Sequence, residues 1–227
     1  MKRLLLFDID GTLIRCGPQV RPLFADALRA VFGSTGSLDG YSFAGKTDPR
    51  IVLDLMRDTG HDEATVNERL PAMKAAYLEN LDRGLERDRM TLLPGVVPLI
   101  ERLAKRDDVL IGLLTGNWRE GARIKLSRFD LFRHFALGAF GDDAVCRREL
   151  AAIALEKAGS VRGAAFDRDQ VLVIGDTPLD VDCAHAVGVA CLGVTTGFCN
   201  AESLHAAGAD HVYDDLEDAV RELDHWF

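Results

Sequence analysis

No apolar run in this chain approaches the roughly 20 residues needed to cross a bilayer. The first such run, residues 4–7, is cut off by Asp8 and Asp10 before it reaches a usable signal-peptide length. Membrane insertion is disfavoured, and a cytoplasmic protein is expected. Positive charge is scarce too: 27 basic against 36 acidic residues leave a formal charge of -9, which repels nucleic acid and anionic lipid at long range. A small anion stays compatible, because backbone amides and one or two basic side chains overcome a mean field locally. The five cysteines include no CxxC pair, and the six histidines form no HxxxH or triad-like spacing. That argues against a zinc site and leaves reduced, mostly buried thiols. Internal repeats and low-complexity tracts are absent as well.

At 227 residues the chain exceeds one small core and falls short of two average domains, so a single domain carrying an insertion is expected. Runs at 4–7, 109–114, 135–139, 171–174 and 189–194 are apolar at nearly every position. That pattern suits strands covered on both faces, and the intervening stretches are long enough for helical crossovers. A doubly wound, Rossmann-like α/β fold with a parallel sheet follows. Three of the runs end in loops of polar or small residues, 8–12, 115–117 and 175–177, where open α/β sheets bind ligands. Asn117 followed by Glu120 resembles a capping box, and Pro178 suits a first helical position. Helices starting there would offer N–H groups to an anion.

The stretch 15–93 breaks the alternation and reads as helices. Residues 20–32 carry apolar spacing on one face, 51–56 follow Asp48 and Pro49 as cap and first turn, and 63–81 form a longer amphipathic element that Pro71 should limit or kink. Residues 33–40 read as a loop, and Leu93-Pro94-Gly95 marks re-entry into the sheet. The expected organisation is a core of 1–14 and 94–227 with a helical insertion over 15–93.

Asp8 and Asp10 alternate on an extended segment and so project the same way. Two like charges this close call for a neutralising cation or proton. Asp8-Ile9-Asp10-Gly11-Thr12, Thr115 behind its strand, a basic position near Arg147, and Gly175-Asp176-Thr177-Pro178-Leu179-Asp180 resemble, in order and spacing, the four motifs of the haloacid dehalogenase-like superfamily. The helical insertion resembles that family's C1 cap. Gly45-Lys46-Thr47-Asp48 and Leu93-Pro94-Gly95-Val96 are similar to its phosphoglycolate phosphatase-type branch.

The resemblance implies a phosphatase acting on a small phosphorylated metabolite. Asp8 would be the nucleophile, forming an aspartyl-phosphate, and Asp10 the acid and then the base. Mg²⁺ would be held by Asp8, the backbone carbonyl of Asp10 and Asp176, with Asp180 steadying that arrangement through hydrogen bonds. Thr115 and the amides of Gly116 and Asn117 would hold phosphoryl oxygens, Gly11 and Thr12 would form the phosphate-side turn, and Lys46 would reach the substrate from the cap. The third motif departs from the family: no Lys-Pro pair exists, and the chain reads Cys146-Arg147-Arg148-Glu149-Leu150. Arg147 is the expected cation, with Arg148 next and Lys157 a weaker candidate. Trp118 reads equally as a border of the substrate site or as packing, and Asp39, Asp48, Asp142 and Asp143 are expected to serve caps and turns. The alternatives are a sugar-phosphate mutase of the same superfamily and a catalytically idle metal-binding regulatory module. The oligomeric state is open.

Overall fold

Leu4, Leu5, Leu6 and Phe7 are each at most 3% exposed, which requires a strand with both faces covered. In a computed structural model describing residues 2–57 and 59–223, they form β1 (Arg3–Phe7), near the middle of a six-stranded sheet. The chain continues through β2 (Ile14–Arg15), α1 (Val20–Phe32), α2 (Asp48–Met56), α3 (Glu63–Gly84), β3 (Thr91–Leu92), α4 (Val96–Leu103) and β4 (Val109–Leu114). It then follows α5 (Arg119–Ser127), β5 (Leu137–Ala139), α6 (Arg147–Arg162), β6 (Val171–Gly175) and α7 (Pro178–His185). The last elements are β7 (Ala190–Val194), α8 (Ala201–Ala206), β8 (His211–Tyr213) and α9 (Leu216–Leu223).

The sheet order is β5-β4-β1-β6-β7-β8, parallel throughout, as the alternation predicts. Alternate residues of β1 face opposite layers. Leu4 and Leu6 pack with residues of α6, α7 and α8, such as Leu150, Val181 and Leu204. Leu5 and Phe7 pack with residues of α4, α5 and α9, including Ile100, Leu126 and Ala219. The second core continues without a break into α1, α2 and α3 through Phe24, Leu28, Ile51 and Tyr77. The ring of Phe24 lies edge-on to Tyr77, with centroids 4.8 Å apart, a favoured aromatic geometry.

Several elements differ from the sequence reading. β8 was not anticipated, since its three residues are only half-buried and carry no distinct apolar run. Residues 132–134 form a short 3₁₀ turn, so β5 starts at Leu137 rather than 135. α2 is capped by Thr47, whose hydroxyl accepts the Arg50 amide at 3.2 Å, which moves Asp48 and Pro49 to the first two helical positions. α3 runs through Pro71 to Gly84. α5 begins after Trp118, not at Asn117. The capping box expected between Asn117 and Glu120 does not form, because Asn117 is bonded to Asp10, Thr115 and Lys125 while Glu120 pairs with Arg123. Pro178 does open α7, behind Thr177.

Two connections position the site. β2 and β3 pair antiparallel, Ile14 opposite Leu92 and Arg15 opposite Thr91, so the chain leaves for α1 and returns from α3 side by side. Gly95 then opens α4 with φ of 77°, in the left-handed region. A β-carbon at Gly95 would lie 2.3 Å from the backbone nitrogen of Glu217. Gly95→Ala should therefore cost about 2 kcal/mol or more from strain and overpacking. Urea unfolding measures this, and an unchanged midpoint would contradict the close approach of α4 and α9.

Candidate functional site

Because β4, β1 and β6 are neighbours in register, with Phe7 opposite both Leu113 and Ile174, the loops leaving them emerge side by side. Asp8 is the first residue beyond β1, and its amide donates to the Ile174 carbonyl at 2.9 Å. Asp176 follows β6, and Asp180 lies in the first turn of α7. One carboxylate oxygen from each of Asp8, Asp176 and Asp180 lies within 4.8 Å of the others. Asp176 can sit there because its neighbours lack side chains. A β-carbon on Gly11, where φ is 93°, would be 2.4 Å from Asp176 Oδ2, and one on Gly197 would be closer still.

The cation facing these acids is Arg147, the first residue of α6. One guanidinium nitrogen is 3.1 Å from Asp8 Oδ1 and also bonds Asp180, while another donates to the Gly45 carbonyl at 3.2 Å. Arg148 points elsewhere, pairing with Asp182 at 3.0 Å, and Lys157 pairs with Asp143. Asp180 also accepts the amide and hydroxyl of Thr177. Burial pushes the carboxyls of Asp8 and Asp176 above the usual range despite Arg147, helped at both by repulsion from Asp180, at Asp8 by Asp10 and at Asp176 by Asp8. When all three are ionised, three acids against one guanidinium leave two uncancelled negative charges. Clustered carboxylate oxygens are the donor set that suits a hard divalent cation such as Mg²⁺, so Asp8 and Asp176, with Asp180 behind them, could hold one.

Asp10 occupies a different environment. Its Oδ2 accepts from Lys125 Nζ at 2.6 Å and from Asn117 Nδ2 at 2.8 Å. Although burial opposes ionisation, Lys125 and these hydrogen bonds win, and Asp10 titrates below its ordinary value. Lys125 also donates to Asn117 Oδ1 at 2.6 Å, and Asn117 Nδ2 reaches Thr115 Oγ1 at 2.9 Å. A single network thus ties together the acid of the first loop and the hydroxyl of the second. Lys125 was missed in the sequence reading. The available signal was its place on the inward face of α5, among Gly121, Ala122, Ile124 and Leu126, where a lysine must find a partner.

Gly116 meets the helical segment directly: a β-carbon there would clash with the Lys46 carbonyl, and its own carbonyl accepts the Asp48 amide at 2.8 Å. Thr12 is fully buried, with its hydroxyl 3.5 Å from Asp176 Oδ1. Lys46 is bound to Asp54 at 3.2 Å and to the Tyr41 hydroxyl at 2.8 Å. Trp118 packs on Tyr77, the second of its two readings. A cavity of about 610 Å³ lies between the loops and the helical segment, reached by Asp8, Asp10, Thr115, Asn117, Arg147 and Lys46.

The family model for haloacid dehalogenase-like hydrolase matches residues 5–185. A phosphoglycolate phosphatase of Rhodobacter capsulatus is 28% identical over 200 residues, covering 87% of this chain and 86% of its own length. A phosphoglycolate phosphatase of Synechococcus elongatus is 28% identical over 227 residues, covering 96% and 97%. The crystal structure of a hydrolase from Pseudomonas syringae superposes with a TM-score of 0.75 at 23% identity over 99% of both chains, a likeness of fold.

Asp48 offers a test of this wall of the cavity. Its Oδ2 accepts the Trp118 amide at 2.7 Å, and burial pushes its carboxyl up to about 7, which Lys125 offsets only in part. A carboxyl raised in the folded state stabilises fully below its unfolded value of 3.8 and loses that contribution as pH rises through about 7. Stability measured against Asp48→Asn should therefore fall across that window, by up to ~1.4 kcal/mol per pH unit. Parallel pH profiles for the two proteins would refute it.

Proposed function

The chain belongs to the haloacid dehalogenase-like hydrolase family, and we propose that it is a phosphatase hydrolysing a small phosphorylated metabolite through a phosphorylated Asp8. The observation that carries this reading is the convergence of Asp8, Asp176, Asp180 and Arg147 beside a separately tuned Asp10 at one end of a cavity. Its relatives named as phosphoglycolate phosphatases are in keeping with a phosphomonoester substrate.

In the first step a carboxylate oxygen of Asp8 attacks phosphorus, and the bond from phosphorus to the ester oxygen breaks. Asp10, which Lys125 and Asn117 keep ionised in the free protein, takes up a proton as the phosphate dianion binds beside it and gives that proton to the departing alcohol. In the second step Asp10 takes a proton from a water, whose oxygen attacks phosphorus, and inorganic phosphate leaves a free Asp8. Arg147 holds Asp8 in place and offers charge to the transferring group. The Thr115 hydroxyl and the amides of Gly116 and Asn117 bind phosphoryl oxygens. Mg²⁺ would be held by Asp8, Asp176 and the Asp10 carbonyl and would, when bound, offset the negative charge of the reacting groups. Asp180 orients Arg147 and the start of α7 through its hydrogen bonds. Lys125 fixes the orientation of Asp10 towards the leaving oxygen, and α1, α2 and α3 serve as a cap that keeps bulk water from the phosphorylated carboxylate.

Phosphate release from a panel of phosphorylated metabolites, with and without Mg²⁺, tests the proposal. Asp8→Asn should lower turnover about a thousandfold or more while thermal unfolding stays close to that of the parent. Chelation should abolish turnover and added Mg²⁺ restore it. Retained activity in Asp8→Asn would overturn the role given to that side chain.

Lys125 gives a second test. If it positions the proton donor, Lys125→Met should slow hydrolysis of alkyl phosphates, whose alcohols leave poorly, by about 10- to 100-fold. Aryl phosphates, which need little protonation to leave, should be slowed far less. Equal loss on both would mean that Lys125 acts only on folding.

A further inference from the structure

Phe198 is 65% exposed, the most exposed large hydrophobic side chain among the described residues. Its backbone is held firmly: the amide donates to Asp176 Oδ2 at 3.0 Å, and Gly197 before it lies against the same carboxylate. The ring nevertheless stands in solvent at the lining of the cavity. No packing partner explains an aromatic ring at a mouth whose backbone is pinned to a buried acid. The rest of that wall is chiefly apolar, formed by Pro18, Val20, Tyr41, Phe43 and Ile51.

Of the cations of the outer wall, one is paired with an acid and two bond main-chain carbonyls. Arg15 donates to the Thr196 carbonyl, Arg21 to the Leu38 carbonyl at 2.7 Å and to that of Tyr41, and Lys46 is bound to Asp54. Arg15 and Arg21 keep spare N–H donors beside these bonds, so charge alone does not separate an acidic substrate body, such as that of phosphoglycolate, from a neutral one at this wall. The cavity, at about 610 Å³, is in the range of roughly 300–1,000 Å³ that accommodates ligands far larger than a two-carbon acid.

We infer that the substrate is a phosphomonoester with a ring-bearing body, which lies against Phe198 and the apolar wall while its phosphate sits at Asp8. This rests on the phosphatase reading above. The exposed ring offers offset or edge-on stacking, which adds to the gain from burying an apolar body. Phe198 would then select substrate without touching the reacting atoms.

The experiment compares benzyl phosphate and adenosine 5′-monophosphate with phosphoglycolate, on the full chain and on Phe198→Ala. All three release primary alcohols, so leaving-group chemistry does not dominate the comparison. The ring-bearing esters should show kcat/KM about tenfold or more above phosphoglycolate. Phe198→Ala should raise their KM about threefold to tenfold relative to any change with phosphoglycolate. Preference for phosphoglycolate, or an equal effect of the variant on all three esters, overturns the inference and leaves the phosphatase reading standing. Absence of phosphate release from every ester, in a protein that unfolds cooperatively and in the presence of Mg²⁺, overturns both.

Discussion

Repulsion among Asp8, Asp176 and Asp180 is the constraint around which the molecule is arranged. Buried carboxylates this close are tolerated only where something offsets their charge, and the fold supplies Arg147 from the start of α6 as one such group. The sheet order brings the acids together, since β1 and β6 are adjacent and deliver Asp8 and Asp176 at the same level. Gly11 and Gly197 let the loops close around Asp176. The pocket is thus a local electrostatic cost that the surrounding secondary structure sustains.

A few residues away, the opposite balance holds. Asp10 faces Lys125 and Asn117 and is kept ionised, while Asp8 and Asp176 are pushed towards protonation. Carboxyls separated by two positions in sequence therefore acquire different characters from their partners alone. The proposed first step needs the reverse, an ionised Asp8 and a protonated Asp10, and a divalent cation held at Asp8 and Asp176 together with a phosphate dianion beside Asp10 would invert the balance.

Much of the fold was legible because its strands are buried on both faces: 4–7, 109–114 and 171–174 are apolar at every position except Gly112, and each lies within an observed strand. β8 was not legible, because a short half-buried edge strand needs no such run. At the site, acids next to strand ends were visible from local pattern, as was the basic start of α6. The choice between Arg147 and Arg148 was not, since adjacent residues on a helix point to different sides and only the packing of α6 against α7 decides which turns inward. Lys125 escaped for a related reason. Its burial depends on Asp10, 115 positions away, and no local window contains that information. Asn117 was misread as a helix cap because its side chain is claimed by partners that sequence spacing does not reveal.

Part of the contact between the helical segment and the loops beyond the strands runs through main chain. Gly116 abuts the Lys46 carbonyl and accepts the Asp48 amide, Gly45 lies against Thr177, and Arg147 donates to the Gly45 carbonyl. A seat built from peptide groups does not depend on which side chains Tyr41, Ser42 or Phe43 carry into the chamber. Those positions are therefore open to exchange during divergence, and one hydrolytic apparatus can be fitted to new compounds without rebuilding its foundations.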